Sequence, residues 1–542
     1  MNRARVATLI TALATAALAA AGAARAADRP LSLDEAIAQA LENHEGIRVQ
    51  REALLAAEAA TSGALGVYDP FLALGGGWRQ SSPPVNSAFS GAPAGRLAAT
   101  SKVREASASV SQLLPTGGTV AVHGSTDRGS TDGVFDLLSP AYSTGLGVEL
   151  RQPLLRDRAI DPARFGIRVA AADRDRAAAD LRREVTETVA AVERAYWTLT
   201  AARREQSVRA EAVRLAQEQQ GQTDDRIRSG MAPETEAAQP RAELERRRGE
   251  LLAADEAAAR AENALKLLIL GDADGAAWGD KLTPPEGGEP QVAPVDVAAA
   301  MERALAARPE LAAVEAVVAR RQAETALAVD AIRPALDAVV SYDRYGLAGR
   351  RNPAAGSSPI GAPATSPRLL GDWSDSLDVL ADGDFDDTRV GLVFAVPIGN
   401  RRARAGATIA KSAERQAESQ LTLVRKQVRT EVLDAAAALD TAGQRIAAAR
   451  AAREAAEVQL MAERERYGAG MSTNFLVLTR QNDLSRARLD EIAAQTDYRQ
   501  AATELARATG ALLADRGIAV EARPEDTNSN SADTVNASTA SR

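Results

Sequence analysis

The chain has 542 residues, of which 45% are hydrophobic but only 3% aromatic, a composition poorly suited to several packed globular cores. Its net charge is −8 and it has no block of basic residues, which argues against nucleic acid as a partner. Cysteine is absent, which excludes disulfides, thiolate metal sites and cysteine catalysis.

Residues 1–26 are predicted to be a secretory signal peptide. Arg3 and Arg5 form a positive start, an apolar run follows from Val6 to about Ala20, and an A-x-A cleavage pattern ends at Ala26. The alternative, a permanent transmembrane helix, is disfavoured because the apolar run is short and ends in that pattern. No later stretch holds about 20 apolar residues, so any further membrane crossing would have to be made by strands.

A first repeat is predicted for residues 27–270. It opens with a capping box at Ser32 and a helix to about Leu65, followed by strands in about residues 71–153. A helical hairpin of about residues 160–270 follows. Its long arm, Ile167 to Gln220, contains neither Gly nor Pro and predicts one helix of roughly 80 Å at about 1.5 Å per residue. A return helix is expected from Glu234 to Leu270.

A second repeat is predicted for residues 296–510, after a Gly- and Pro-rich connector at residues 271–295. It has the same order: a helix, strands in about residues 335–397, and a hairpin of about residues 403–510. Gly470 corresponds to Gly230, and the similar short sequences around the two glycines indicate an internal duplication. The tail, residues 511–542, is polar and predicted to be disordered.

The predicted strands have one apolar face, as in the alternation of Leu336, Ala338, Val340 and Tyr342 with their neighbours. A soluble sandwich is one interpretation of this alternation. A transmembrane barrel wall is favoured, because aromatic residues concentrate on the strand segments. The joining segments Ser81–Thr100, Ser125–Ser143 and Gly346–Asp387 are also long and polar.

This order of elements resembles the TolC-type outer-membrane efflux and secretion channels. The resemblance is based on three short motifs: Ala195-Tyr196-Trp197-Thr198-Leu199, Gln152-Pro153-Leu154-Leu155 and Tyr467-Gly468-Ala469-Gly470. The resemblance implies an α+β membrane protein in which long antiparallel hairpins form an α-barrel and strands form a transmembrane β-barrel.

It also implies a homotrimer in the outer membrane of a Gram-negative cell, in contact with outer-membrane lipid and with its helices in the periplasm. Such a channel is a passive exit duct in a tripartite efflux or type I secretion system, with a periplasmic adaptor and an inner-membrane transporter as partners. The alternative is a periplasmic coiled-coil adaptor or scaffold, which leaves the aromatic-rich strands unexplained. The family has four strands per subunit, whereas residues 103–123 add a possible hairpin, which either joins the wall or folds over it.

By position in the family, the hairpin tips contact the adaptor. The residues implicated are Ser229, Gly230, Met231, Ala469, Gly470, Met471 and Ser472. The alternative is that both glycines merely end a helix.

A pore constriction is expected at Glu234, Glu236 and Tyr467. Family channels often carry acidic rings six and nine residues after the tip glycine, but here the second half has Leu476 and Thr479, so the acidic gate is half missing. Three copies of Glu236 would still attract cations in a narrow pore. The alternative is a solvated surface glutamate.

The sequence gives no support for catalysis, a cofactor or a resident metal. His44 and His123 are the only histidines and lack metal-ligand spacing. Gly75-Gly76-Gly77 lacks the Lys-Ser/Thr of a phosphate loop and is better explained as part of a strand.

Overall fold

The computed structural model describes residues 28–520, apart from residues 85, 87–90, 94–95, 232, 273–274, 276, 286–287, 359–360 and 362–363. The predicted signal peptide at residues 1–26 and the predicted tail from residue 521 onward lie outside the described residues. Helices and strands are both present, which agrees with the predicted α+β class.

The secondary structure elements are numbered in chain order. The α-helices are α1 (Leu33–Asn43), α2 (Glu45–Leu65), α3 (Pro162–Arg228), α4 (Ala238–Ile269), α5 (Val297–Ala307), α6 (Pro309–Asp330), α7 (Trp373–Asp382), α8 (Arg401–Gly468), α9 (Asn474–Ala508) and α10 (Leu512–Asp515). The β-strands are β1 (Asp28–Pro30), β2 (Phe71–Ser81), β3 (Ser101–Leu113), β4 (Thr119–Thr131), β5 (Leu138–Pro153), β6 (Lys281–Thr283), β7 (Ala335–Arg351) and β8 (Asp386–Ala395).

The chain divides into two compact units. The helical unit comprises the described residues within Met1–Leu55, Arg176–Val314 and Leu421–Arg542. The sheet unit comprises those within Ala56–Asp175 and Glu315–Gln420.

In the helical unit, the long helices α3 and α8 each bury one apolar stripe. The buried side chains recur every three or four residues, which places them on one face of a helix. On α3 the stripe is Leu181, Val185, Val189, Val192, Tyr196 and Leu199. On α8 it is Val428, Val432, Ala435, Leu439, Ala442 and Ile446.

A small parallel sheet of β1 and β6 closes one core of the helical unit. Tyr196 donates its hydroxyl to the carbonyl oxygen of Leu31 at 3.1 Å, and Leu31 and Leu282 are almost fully buried. Leu512, in α10, packs into the same core, and Arg516 Nε lies 2.7 Å from Glu193 Oε1. Residues 511–520, which the sequence placed in the disordered tail, therefore belong to the packed structure.

The helix predicted from Ser32 to Leu65 is divided into α1 and α2, so the prediction of a single helix was wrong. His44 between them is extended, with φ −68° and ψ 120°. The second repeat has the same break at Arg308, between α5 and α6, where Pro309 follows and disfavours a helical residue before it. At Gly46, just after the first break, an added Cβ would lie 2.4 Å from Glu184 Oε1, so α2 passes close to α3.

The sheet unit holds one antiparallel sheet of six strands, in the order β2-β3-β4-β5-β7-β8. The additional hairpin predicted near residues 103–123 is β3 and β4, and it lies inside this sheet between β2 and β5. Gly75-Gly76-Gly77 lies in β2, as the strand interpretation predicted. Strands β2 and β8 each have one neighbour among the described residues and form the two edges.

Helix α7 lies in the segment predicted to be a long loop between Gly346 and Asp387. Asp372 caps it, accepting the amide of Ser374, and Asp375 reaches back to the amide of Asp372. This reciprocal cap is a sequence signature of a helix start, with aspartate in place of the more usual glutamate.

Candidate functional site

The first hairpin turns at Gly230, immediately after α3. The Gly230 amide donates to the Ile227 carbonyl at 3.0 Å, and the Met231 amide donates to the Arg226 carbonyl at 2.8 Å. These two bonds close the last turn of the helix and require a left-handed residue at Gly230, which has φ +75°.

The second hairpin turns at Gly470 in the same way. The Gly470 amide donates to the Tyr467 carbonyl at 3.0 Å, the Met471 amide to the Arg466 carbonyl at 2.9 Å, and Gly470 also has φ +75°. The two turns are therefore equivalent structures made by corresponding residues of the two repeats. Glycine is required at both by the backbone, whether or not a partner binds there.

The turns expose large apolar side chains. Met231 is 68% exposed and Met471 76%, and Phe475 in the first turn of α9 is 60% exposed. Methionine adapts its shape to different contacts and is common on surfaces that bind other proteins. The predicted tip residues thus include exposed apolar side chains of a kind common on protein-binding surfaces.

A hydrogen bond joins the two hairpins near their turns. Arg226 donates to the Tyr467 hydroxyl at 2.7 Å, and its guanidinium lies 5.8 Å from the centre of the tyrosine ring. Gln219 donates to Asn474 Oδ1 at 2.7 Å. Tyr467, which the sequence assigned to a pore constriction, therefore also holds the two turns side by side within one chain.

The remaining predicted tip residues differ in their accessibility. Ala469 is exposed, but the Ser229 hydroxyl donates to the Asp225 carbonyl at 2.9 Å. Ser472 is half-buried and donates its hydroxyl to Glu463, whose side chain is almost buried. Both serines are thus engaged within the turns.

Glu234 and Glu236 lie in a short 3₁₀ turn, Glu234–Ala237, that leads into α4. Both side chains are exposed, and neither is within ion-pair distance of a cation in the described part of the chain. Pro240 is buried in the first turn of α4, where its missing amide costs no helical hydrogen bond.

Ion pairs fasten α3 to α4 below the first turn. Arg209 Nη1 lies 2.6 Å from Glu250 Oε2, and the buried Arg247 contacts both Glu243 and Glu250. Burial raises the pKa of the Glu243 carboxyl, but the hydrogen bonds and charges of Arg246 and Arg247 outweigh it, so the pKa lies below its ordinary value. The carboxylate is therefore ionised at neutral pH.

The six-stranded sheet has two unlike faces, because direct cross-strand partners share a face. One face, here called the apolar face, exposes large hydrophobic side chains. They are Leu72, Leu74, Val110, Val122, Leu146, Val148, Leu150, Val340, Tyr342, Val390, Leu392 and Phe394. The opposite, polar face carries Ser107, Ser109, Ser111, His123, Ser125, Glu149, Ser341, Asp343 and Arg389. Such an alternation is typical of strands between lipid and a watery lumen.

No group of three or more His, Asp or Glu side chains in the described ranges could hold a metal ion. No described helix is both long enough and apolar enough to span a membrane.

Two helical hairpins and an amphipathic sheet in one chain are the features expected of an outer-membrane channel. Comparison with protein families assigns residues 36–271 and 300–511 to the outer membrane efflux proteins. These matches cover more than half of the chain, which therefore belongs to that family. No curated protein sequence matches it significantly.

Solved structures share the fold. The Campylobacter jejuni CmeC outer membrane channel superposes with a TM-score of 0.57 at 15% identity, covering 89% of this chain and 86% of that one. For the Vibrio cholerae outer membrane protein VceC the TM-score is 0.58 at 16% identity, with 88% and 96% covered. For the open Neisseria gonorrhoeae MtrE outer membrane channel it is 0.56 at 15%, with 89% of each chain covered.

The protein is thus an outer-membrane channel of a tripartite efflux system and not an enzyme. The sequence prediction of the family, the fold class and this function is confirmed.

Proposed function

We propose that three copies of this chain join through the edges of their sheets to form one exit duct. A sheet edge exposes unpaired amides and carbonyls, which lipid cannot satisfy. Strands β2 and β8 are these edges, and they run in opposite directions because the sheet has six antiparallel strands. Pairing β8 of one copy with β2 of the next therefore continues the antiparallel pattern, and three copies of six strands give eighteen.

The faces restrict how these edges meet. Within the sheet, partners on one face have residue numbers with an even sum, as for Leu74 with Ala108. The apolar face continues from one copy to the next only if the two residues that pair across the junction also have numbers with an even sum. With the strand ends level, Leu74 lies beside Leu392 and Arg79 beside Asp387, which joins apolar to apolar and opposite charges to each other.

The hairpin turns form the proposed contact surface for a periplasmic adaptor protein. The observation that supports this most directly is the pair of equivalent turns that expose Met231 and Met471, held together by Arg226 and Tyr467. An adaptor that presents apolar side chains of a helical tip would bury these methionines. An inner-membrane transporter drives export, while this chain remains passive.

The proposed periplasmic opening is lined by Glu234, Glu236 and Tyr467. Both carboxylates are exposed and lack a cation partner among the described residues, so three copies would place six negative charges around the opening. A narrow pore focuses such charges and attracts cations. The helical unit lies in the periplasm in this arrangement, and the sheet unit lies in the outer membrane.

Charges introduced at the turns test the adaptor contact. The double variant Met231→Glu/Met471→Glu is expected to abolish export in the native host, because burying unpaired carboxylates opposes docking. The measurement is resistance to compounds that become toxic when the gene is deleted, with trimers checked on gels of unheated samples. The matched control is Met461→Glu, which is on α8 and 64% exposed. Normal export by the double variant would refute the assignment.

A further inference from the structure

A groove lies on the apolar face of the sheet, beside α7. The small residues Ala106, Ala108 and Gly124 form its floor, and Trp373, Leu377 and Leu380 of α7 line its other side. It contains about 380 Å³ and opens to the surroundings. This volume falls within the range of pockets that hold small ligands.

The groove has a fixed wall, because α7 is attached to the sheet by polar contacts. Trp373 Nε1 donates to Thr126 Oγ1 at 2.9 Å, and the Thr144 hydroxyl donates to the Ser376 carbonyl at 3.0 Å. An added Cβ at Gly346 would lie 1.9 Å from that same carbonyl oxygen, so this strand position must be small for α7 to sit there.

Three cations follow the groove along the same face. Residues two apart on a strand share a face, so Arg104 and Lys102 continue the row of Ala108 and Ala106 on β3. Arg128 is the direct cross-strand partner of Arg104. Like charges placed opposite each other destabilise a sheet unless an anion lies between them.

These cations are not neutralised by the described part of the chain. All three are exposed, and no described carboxylate lies within ion-pair distance of them. The contact found for Arg128 is with the Tyr142 ring, whose centre is 5.8 Å from the guanidinium carbon. Trp78, which pairs with Arg104, is 64% exposed on the same face, and tryptophan favours the boundary between lipid tails and headgroups.

We propose that this groove and its cations form a binding site for an acylated, phosphorylated lipid of the outer leaflet. The phosphate lies between Arg104 and Arg128 with Lys102 beside it, and one acyl chain lies in the groove against Trp373. The guanidinium group of arginine can donate two parallel hydrogen bonds to phosphate oxygens, and the apolar floor can pack against a hydrocarbon chain. The inference rests on the outer-membrane location of the sheet and does not involve the adaptor contact.

The test is a titration of the detergent-purified, delipidated protein with lipid A, followed by native mass spectrometry. Arg104→Gln/Arg128→Gln is expected to weaken lipid A binding by at least about tenfold, because the phosphate loses two charged hydrogen-bond donors. The matched control, Arg351→Gln/Arg389→Gln, removes two exposed charges from the polar face and is expected to bind normally. Equal weakening in both double variants would overturn the site.

A second variant tests the acyl chain. Gly124→Leu fills the groove, and its first carbon fits because an added Cβ would be 3.8 Å from the nearest atom, the Gly145 carbonyl oxygen. It is expected to reduce binding of lipid A, with the oligomer intact on gels. Unchanged binding would remove the groove from the site, and displacement of lipid A by millimolar inorganic phosphate would indicate a simple anion site. Loss of lipid binding with normal adaptor docking would leave the proposed function intact.

Discussion

His123 Nε2 lies 3.0 Å from Asp343 Oδ1, although a whole strand separates the two residues. They reach each other across Gly147, which is the cross-strand partner of both. An added Cβ at Gly147 would lie 1.9 Å from Asp343 Oδ1 and 2.6 Å from the His123 ring. The absence of a side chain in β5 therefore lets a side chain of β4 contact one of β7 on the polar face.

Gly147→Ala is expected to separate this pair and destabilise the oligomer. Forcing an atom into an occupied space costs about 1–3 kcal/mol. The measurement is the temperature at which the trimer converts to monomer on gels. Gly129→Ala, on the same face of β4, is the control, because the nearest atom to its added Cβ, Asp127 Oδ2, lies 4.0 Å away. Equal melting of the two variants would contradict the steric explanation.

Paired cysteines test how the sheet edges meet. The natural chain has no cysteine, so Ala73→Cys/Val393→Cys leaves two thiols, and a short bifunctional thiol reagent is expected to yield covalent trimers. Ala73→Cys/Leu392→Cys is the control. Positions 73 and 392 have numbers with an odd sum, so their thiols lie on opposite faces of the sheet. Two further variants pair Ala73→Cys with Gly391→Cys or with Ala395→Cys. They test strand pairings shifted by two residues in either direction, which keep the paired residues on one face. Absence of cross-links in all three even registers would rule out the proposed edge pairing.

Valine at both tip glycines is expected to stop export while trimers persist. A β-branched residue at φ +75° is strained, so Gly230→Val/Gly470→Val changes the shape of both turns. The control Gly221→Val/Gly249→Val alters two helical glycines with open space around them. Export is measured as host resistance. If the turn variant and the control export equally well, the turns do not need their observed shape.

Glu236→Gln is expected to lower the preference of the open channel for cations, and Glu234→Gln/Glu236→Gln to lower it further. The physical reason is the loss of exposed negative charge around a narrow opening. Single-channel reversal potentials in a salt gradient measure the preference. Glu302→Gln is the control, as it removes an exposed glutamate from α5. Identical reversal potentials in all variants would place Glu236 on an ordinary solvated surface.

Glu243→Gln is expected to lower the stability of the first hairpin at neutral pH by about 1–2 kcal/mol, because Arg246 and Arg247 lose a charged partner. The folded pKa of Glu243 is below its ordinary value. Its contribution is therefore present above the ordinary glutamate pKa and disappears as the pH falls through the folded pKa.

Thermal melting of wild type and Glu243→Gln at neutral and strongly acidic pH tests this. The melting temperatures are expected to differ at neutral pH and to converge in acid. Glu302→Gln again serves as the control, since its carboxylate has no described ion-pair partner. A difference that persists at acidic pH would attribute the effect to packing rather than charge.

Local patterns were sufficient for the long helices and for the faces of the strands. The stretch Ile167–Gln220 was predicted as helix from its lack of Gly and Pro, and α3 extends further, from Pro162 to Arg228. The extension includes Gly166 and Gly221, which a helix packed along one face tolerates. The alternation of apolar and polar residues likewise predicted the first half of β7, but it did not predict that the strand continues to Arg351.

Features that depend on distant residues were missed. The sequence analysis assigned Tyr467 to a pore constriction but did not predict its hydrogen bond to Arg226, which joins residues of the two repeats. The His123–Asp343 pair also joins two repeats, and nothing local to either residue indicates it. Helix α7 had a local signal in the Asp372 and Asp375 cap, which was hidden in a segment interpreted as a polar loop.

The hairpin of β3 and β4 sits between strands that would otherwise be neighbours. Because it adds two strands that run in opposite directions, it leaves the relative direction of the two edge strands unchanged, and the proposed junction between subunits is therefore unaffected. In the proposed trimer, each such insertion adds six strands to the barrel at once. The pore width of such channels can therefore change in steps of six strands, through duplication of a hairpin in one gene, while the subunit junction stays the same.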